Sequence, residues 1–201
     1  MSGTGVRREV EIKLRVEDAV TGKRLLRNSG FRIARRRAFE QNILFDTPGL
    51  DLRRRGALLR LRRSGSRWTV TFKDRSVRGK HKSREEVEVN VSDGVAFQAI
   101  LERLGLAPVF RYEKYRTEFR SVRGSGIATL DETPIGVFVE LEGSPAWIDR
   151  TARRLGFSEM HYITMSYGQL YIKDCLRKGV TPANMVFTGT PGGDGPGGKV
   201  P

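Results

Sequence analysis

The sequence predicts an α+β domain built on an antiparallel sheet. Two observations predict it. Segments with strict two-residue alternation follow one another along the chain, with helices inserted only here and there, whereas a doubly wound parallel sheet would place a helix after every strand. Within those segments one face carries ionisable side chains and the other apolar ones.

The elements follow in order. From Glu9 to Val16 the residues Val10, Ile12, Leu14 and Val16 face one way, and Glu9, Glu11, Lys13 and Arg15 the other. Asp18 caps a helix that ends near Gly30. A long strand, Phe31 to Phe45, closes at Asp46-Thr47-Pro48-Gly49. Leu58 to Arg62 and Arg67 to Lys73 form a hairpin around Ser64-Gly65-Ser66. Glu85 to Val91 alternates again. Ser92 then caps a helix with Phe97, Ile100, Leu101 and Leu104 on one face, ended by Gly105. Strands resume at Val109 to Ser121, Ile127 to Asp131 and Gly136 to Glu142. Ser144-Pro145 opens a helix as N-cap and N1, and Gly156 closes it. A last short helix holds Tyr167, Leu170 and Tyr171.

The charged faces have a pattern of their own. Same-sign residues stand two apart: Glu9/Glu11, Arg60/Arg62, Glu86/Glu88, Lys114/Arg116 and Glu140/Glu142. On one strand an ordinary solvated face explains this, since antiparallel sheets often leave one face in water. Repeated across the sheet it needs more. Positions two apart on a strand are roughly 6.6 Å apart, so paired carboxylates repel unless a cation sits between them, and paired arginines unless an anion does. A sheet curled into a barrel would bring both kinds around one interior. Such an interior suits a metal ion on the carboxylates and a polyphosphate on the bases.

In their order these segments resemble the CYTH family, the triphosphate tunnel metalloenzymes named for class IV adenylyl cyclases and thiamine triphosphatases. Glu9-x-Glu11-x-Lys13 is similar to the family's opening strand. QNILFDT (41–47), LLRLR (58–62), Thr71-Phe72-Lys73, SREEVE (83–88), Lys114-Tyr115-Arg116, Leu130-Asp131 and GVFVELE (136–142) resemble its later strands. The resemblance covers about residues 6 to 176. It implies an eight-stranded antiparallel β-barrel forming a tunnel, with helices packed outside. It implies metal ligands at Glu9, Glu11, Asp131, Glu140 and Glu142. It implies phosphate binding by Lys13, Arg60, Arg62, Lys73, Arg84, Lys114 and Arg116, with Lys73, Glu86 and Glu88 at the chemistry. Ile43 stands where some inorganic triphosphatases of the family carry a tyrosine, so a mechanism pairing that tyrosine with Lys73 does not carry over.

The implied activity is Mg²⁺- or Mn²⁺-dependent hydrolysis of inorganic triphosphate or of an organic triphosphate such as thiamine triphosphate. Cyclisation of ATP to cyclic AMP stays open as an alternative. The net charge of +14 leaves a third, a polyphosphate- or nucleic-acid-binding module using Arg35-Arg36-Arg37, Arg53-Arg54-Arg55 and Arg62-Arg63. That reading does not account for acidic pairs alternating with basic ones. The basic loop Arg78-Gly79-Lys80-His81-Lys82 reads as solvated. Trp68 and Trp147 read as core or surface-covering residues.

A single cysteine, Cys175, allows no intrachain disulfide. Residues 1–8 hold no leader-like apolar run, and no run is long enough to span a bilayer. A cytoplasmic monomer or homodimer without a membrane partner is expected. The expected organisation is one tunnel domain over residues 1–178 and a Gly/Pro-rich flexible tail over 179–201.

Overall fold

The computed structural model describes residues 6–77, 79–121 and 124–189. Its strands are β1 (Arg7–Val16), β2 (Phe31–Asp46), β3 (Leu58–Ser64), β4 (Arg67–Lys73), β5 (Lys82–Val91), β6 (Ala107–Ser121), β7 (Ile127–Thr133) and β8 (Gly136–Glu142). They close into an antiparallel barrel in the order β1-β5-β4-β3-β2-β6-β7-β8. The helices are α1 (Ala19–Asn28), α2 (Asp51–Arg55), α3 (Gly94–Arg103), α4 (Pro145–Arg154) and α5 (Tyr167–Lys178). No helix among the described residues is long and apolar enough to cross a membrane.

The alternation decides which side chains go where. Ile12, Leu14, Leu130, Val139 and Leu141 point outward from the barrel and are fully buried beneath α1 and α4. Gly22 lets α1 approach closely: a Cβ there would stand 2.5 Å from a Leu130 methyl. α3 covers a second cluster around Phe45, Leu61 and Val70. Its N-cap is Asp93, whose carboxylate accepts from the amides of Val95 and Ala96, so the helix starts one residue later than the Ser92 cap predicts. Trp147 packs edge-on against Phe31 in the core, as expected for a covering residue.

Strand lengths make the two ends of the bore different. β5 begins opposite Glu11 and leaves the edge of β1 free at Lys13; Ile163 fills it with a two-hydrogen-bond bridge. β7 reaches only to Tyr115 and leaves the edge of β6 free at Arg111–Glu113; Met185 fills that one, in parallel. Between these two straps lies α5, whose Tyr167 and Leu170 cluster with Tyr112, Phe138 and the fully buried Met185. One end of the bore is therefore stoppered. The expected tail over 179–201 belongs to the fold through Met185, because the Met185 side chain is buried in that cluster and its backbone fills the edge of β6. Residues 190–201, the rest of the expected tail, lie outside the described residues.

Candidate active site

The bore holds a cavity of about 120 Å³ lined mostly by ionisable side chains, with Leu44, Leu58 and Ile127 among them. Glu9, Glu11 and Lys13 descend one strand, and Glu140 and Glu142 the neighbouring one, with Glu11 directly opposite Glu142 and Lys13 opposite Glu140. These five positions make an acidic wall with one lysine in it. Arg60, Arg62, Lys73, Lys82, Arg84, Lys114 and Arg116 supply the bases of the lining. The barrel thus brings together residues up to 133 positions apart, from Glu9 to Glu142.

The two walls grip each other. Lys73 on β4 reaches both oxygens of Glu9, at 2.8 and 2.7 Å, and one oxygen of Glu86 at 2.7 Å. Lys82 holds Glu11 at 2.7 Å. Lys13 lies 3.4 Å from Glu11 and 3.2 Å from Glu140. Arg116 pairs with Glu140 and forks onto Asp131, which also accepts from Lys114 and from the hydroxyl of Tyr167, both at 2.8 Å. Glu40 faces Lys114 at 3.6 Å and Arg62 at 3.7 Å.

Electrostatics follow from this geometry. Burial pushes the Glu11 carboxyl up, but Lys13, Lys82 and Lys73 outweigh it and hold it well below the ordinary range. Burial likewise opposes the charge on Lys13, and Glu11 and Glu140 override it, raising its pKa. Lys82 goes the other way: burial, with Lys13 and Arg84 adding to it and Glu11 opposing, brings it down to about 8. Glu142 is pushed up to about 7 by burial and by the neighbouring carboxylates of Glu9 and Glu86, against the pull of Arg7. Negative charge is therefore crowded where β1 and β8 meet.

The CYTH domain profile matches residues 7–160. The chain belongs to the CYTH domain family. A Methanocaldococcus jannaschii protein provisionally named an adenylate cyclase is 30% identical over 137 residues, spanning 68% of this chain and 77% of that one. Among solved structures, the PH1819 protein of Pyrococcus horikoshii matches with a TM-score of 0.69 and 25% identity, covering 83% of this chain and 99% of that one. A Hippeastrum protein, HpAC1, matches with a TM-score of 0.60 and 20% identity, covering 86% and 96%. The straps and α5, from Ile163 onward, lie beyond the matched CYTH segment.

A divalent metal of the kind CYTH tunnels imply fits Glu9, Glu11, Glu140 and Glu142. All offer oxygen donors, which suit Mg²⁺ or Mn²⁺. The raised Glu142 marks a place where added positive charge would be stabilising. Among the described residues no three acidic or imidazole groups form a ready cage; the ammonium groups of Lys13, Lys73 and Lys82 stand against the oxygens instead.

The CYTH fold gathers most of the expected site residues, with three differences in placement. Asp131 is fully buried, and its oxygens are taken by Lys114, Arg116 and Tyr167. Its geometry is that of an anchor for the two bases rather than of a metal ligand. Glu86 is buried behind Lys73 and Arg7. Glu88 accepts from Thr71 and has a side chain 45% exposed, at the end away from α5.

Sequence reasoning missed Glu40, Lys82, Tyr112 and Tyr167, all in or beside the bore. The loop expected to be solvated instead delivers Lys82 inward. It is fastened outside by Lys80 and His81, both on Asp149, with the Tyr162 hydroxyl donating to the same carboxylate. Arg78 of that loop lies outside the described residues. The signal that finds Lys82 is its phase: it alternates with Arg84, Glu86 and Glu88.

Proposed function

We propose that this CYTH protein hydrolyses inorganic triphosphate or an organic triphosphate such as thiamine triphosphate, with Mg²⁺ or Mn²⁺ on Glu9, Glu11, Glu140 and Glu142. The observation that carries the reading is the gathering of paired carboxylates and paired bases around one bore, joined by ion pairs that a metal–phosphate complex would replace. Phosphoryl transfer asks mainly for positioning and charge neutralisation, which this arrangement supplies.

Each residue has a role in that reading. Arg60, Arg62, Arg84 and Arg116 offer guanidinium forks to phosphate oxygens, while Lys13, Lys73, Lys82 and Lys114 offer point charges. Asp131 and Glu40 orient Lys114 and Arg116. Glu86 holds Lys73 in place. Glu88, near solvent, orients water. A bound divalent ion supplies neutralisation of phosphate charge and a more acidic water. At the stoppered end the first residues of α5, Ser166 to Gly168, line the cavity beside Lys13 and Lys114, so the terminal phosphate meets a helix N-terminus there.

The second reading is ATP cyclisation, favoured by the name of the M. jannaschii relative. The Hippeastrum protein bears on the choice, since it is described as an adenylyl cyclase by name with a dominant triphosphatase activity. In the bore Tyr112 is stacked on Phe110, and Tyr167 lies against Phe138, so both rings already have aromatic partners. The test is a product assay with Mg²⁺ or Mn²⁺ over inorganic triphosphate, thiamine triphosphate, ATP and GTP. Orthophosphate from one of them supports hydrolysis and names the substrate. Cyclic AMP with pyrophosphate rejects it in favour of the cyclase.

A further inference from the structure

The barrel wall has a seam beside Glu11. β5 pairs with β1 from Arg7 to Glu11, and its partner for Glu11 is its own first residue, Lys82. Two residues further along β1, at Lys13, the neighbour on that side is no longer β5 but Ile163, which exchanges two backbone hydrogen bonds of 2.9 Å with Lys13. Two segments far apart in sequence therefore abut at this point of the wall. Each brings a lysine to the same place. Lys82 stands 2.7 Å from Oε1 of Glu11, and Lys13, backed by the strap, 3.4 Å from the same oxygen.

Outside the bore, both sides of the seam end on one carboxylate. Asp149 of α4 accepts from Lys80 at 2.9 Å and from the Tyr162 hydroxyl at 3.1 Å, and His81 Nε2 lies 2.8 Å from it. Lys80 and His81 immediately precede Lys82, and Tyr162 immediately precedes Ile163. The rings of His81 and Tyr162 lie against each other, with centroids 6.0 Å apart. Lys80 also pairs with Glu159, in the single 3-10 turn (Glu159–His161) that leads into the strap. The carboxylate has a firm base, since Trp147, Ile148, Thr151 and Ala152 bury the inner face of α4.

A surface ion cluster can do no more than hold a loop, and exposed pairs contribute little. This one differs in place. Its donors come from both sides of one seam, each next to a residue that sets a lysine on Glu11. We propose that Asp149 is a positioning residue for the bore: it clamps the seam and so holds the Lys82 ammonium on Glu11. The functional consequence rests on the triphosphate reading, in which Lys82 is a point charge for phosphate. Burial works against the charge on Lys82, so an unclamped Lys82 gains by turning to water.

The test is lysine labelling with acetic anhydride in metal-free buffer without substrate, read residue by residue by peptide mass spectrometry. Wild type is compared with Asp149→Ala. Lys82, Lys73 and Lys114 are all buried, so all three should label slowly in the wild type. In the variant Lys82 should label about tenfold faster, the scale of losing one charge-assisted hydrogen bond. Lys73 and Lys114, away from the seam, should keep their wild-type rates. Tripolyphosphate affinity, by isothermal titration in the same buffer, should fall along with the protection of Lys82. The double variant Lys80→Met, His81→Ala cuts the loop from Asp149 without touching α4, and gives the same reading if Asp149→Ala misfolds. Unchanged labelling of Lys82 in a folded variant overturns the proposal. So does an equal rise at Lys73 and Lys114, the mark of general loosening, and so does an exposed Lys82 in a variant that keeps wild-type tripolyphosphate affinity. Selective exposure of Lys82 in a protein whose wild type ignores tripolyphosphate supports the clamp and rejects the chemistry proposed for the bore.

Discussion

Lys73 reaches over β5 from β4 and grips both carboxylate oxygens of Glu9 on β1, at 2.8 and 2.7 Å. In the barrel order β5 lies between these two strands, so the pair reaches over one strand on the inner surface of the barrel. The ammonium stands where a metal on Glu9 would place its charge. Lys73→Met leaves Glu9 and Glu86 short of a cation. Loss of one partner of a buried pair costs about 3–5 kcal/mol. The expected result is a lower melting temperature that millimolar Mg²⁺ partly restores, by a larger margin than in the wild type. Thermal denaturation with and without metal checks it; equal Mg²⁺ shifts in both proteins would remove the metal from this position.

Asp131 carries a different prediction. It is fully buried and holds Lys114, Arg116 and Tyr167. Asp131→Asn should destabilise the fold by about 3–5 kcal/mol, because two buried bases lose their counter-charge. Urea unfolding reads this directly. A stable protein with intact phosphate affinity and lost metal affinity would instead make Asp131 a ligand.

The acid limb of stability should depend on Glu40. Burial alone would raise its pKa, but Lys114 and Arg62 outweigh it and hold it at about 2, below the ordinary 4.5. A carboxylate depressed on folding adds stability that is complete above its unfolded pKa and is lost as pH falls through the folded one. Glu40→Gln should therefore lower stability at neutral pH and flatten the loss between about pH 4.5 and 2. Chemical denaturation across that range checks the slope.

The strap is the fourth. Met185 is 1% exposed against Tyr112 and Tyr167, and its backbone completes the edge of β6. Met185→Ala should cost about 2–5 kcal/mol. Ending the chain at Lys178 should cost more, since it also frees the strand edge. Melting curves that do not move would return this segment to the status of a tail.

Much of this was legible in the sequence, and the exceptions have physical causes. β1, β4 and β8 alternate without interruption, so their bore-facing residues could be read directly. β2 contains bulges between Ile33 and Ala38, which break the two-residue phase and hid Glu40. Lys82 was masked by its company, since Gly79, Lys80 and His81 read as a solvated loop until Asp149 is brought beside them by α4. Tyr167 read as one apolar contact of a short helix; its hydroxyl acquires meaning only when the barrel brings Asp131 to it. Met185 sits in a segment too short to show any period, and its partner on β6 is more than seventy residues away.

Carboxylates on β1 and β8 should make triphosphate turnover metal-dependent. Phosphate release from inorganic triphosphate, with Mg²⁺ or with chelator, for the wild type and Glu9→Gln, tests it most directly. Lys73 keeps Glu86 as a partner in that variant, so the fold should persist by circular dichroism. Release is expected only in wild type with metal, falling by about a hundredfold or more in the variant, the scale of losing one charge-stabilising group. Equal release by both proteins, or release that ignores the chelator, would contradict it.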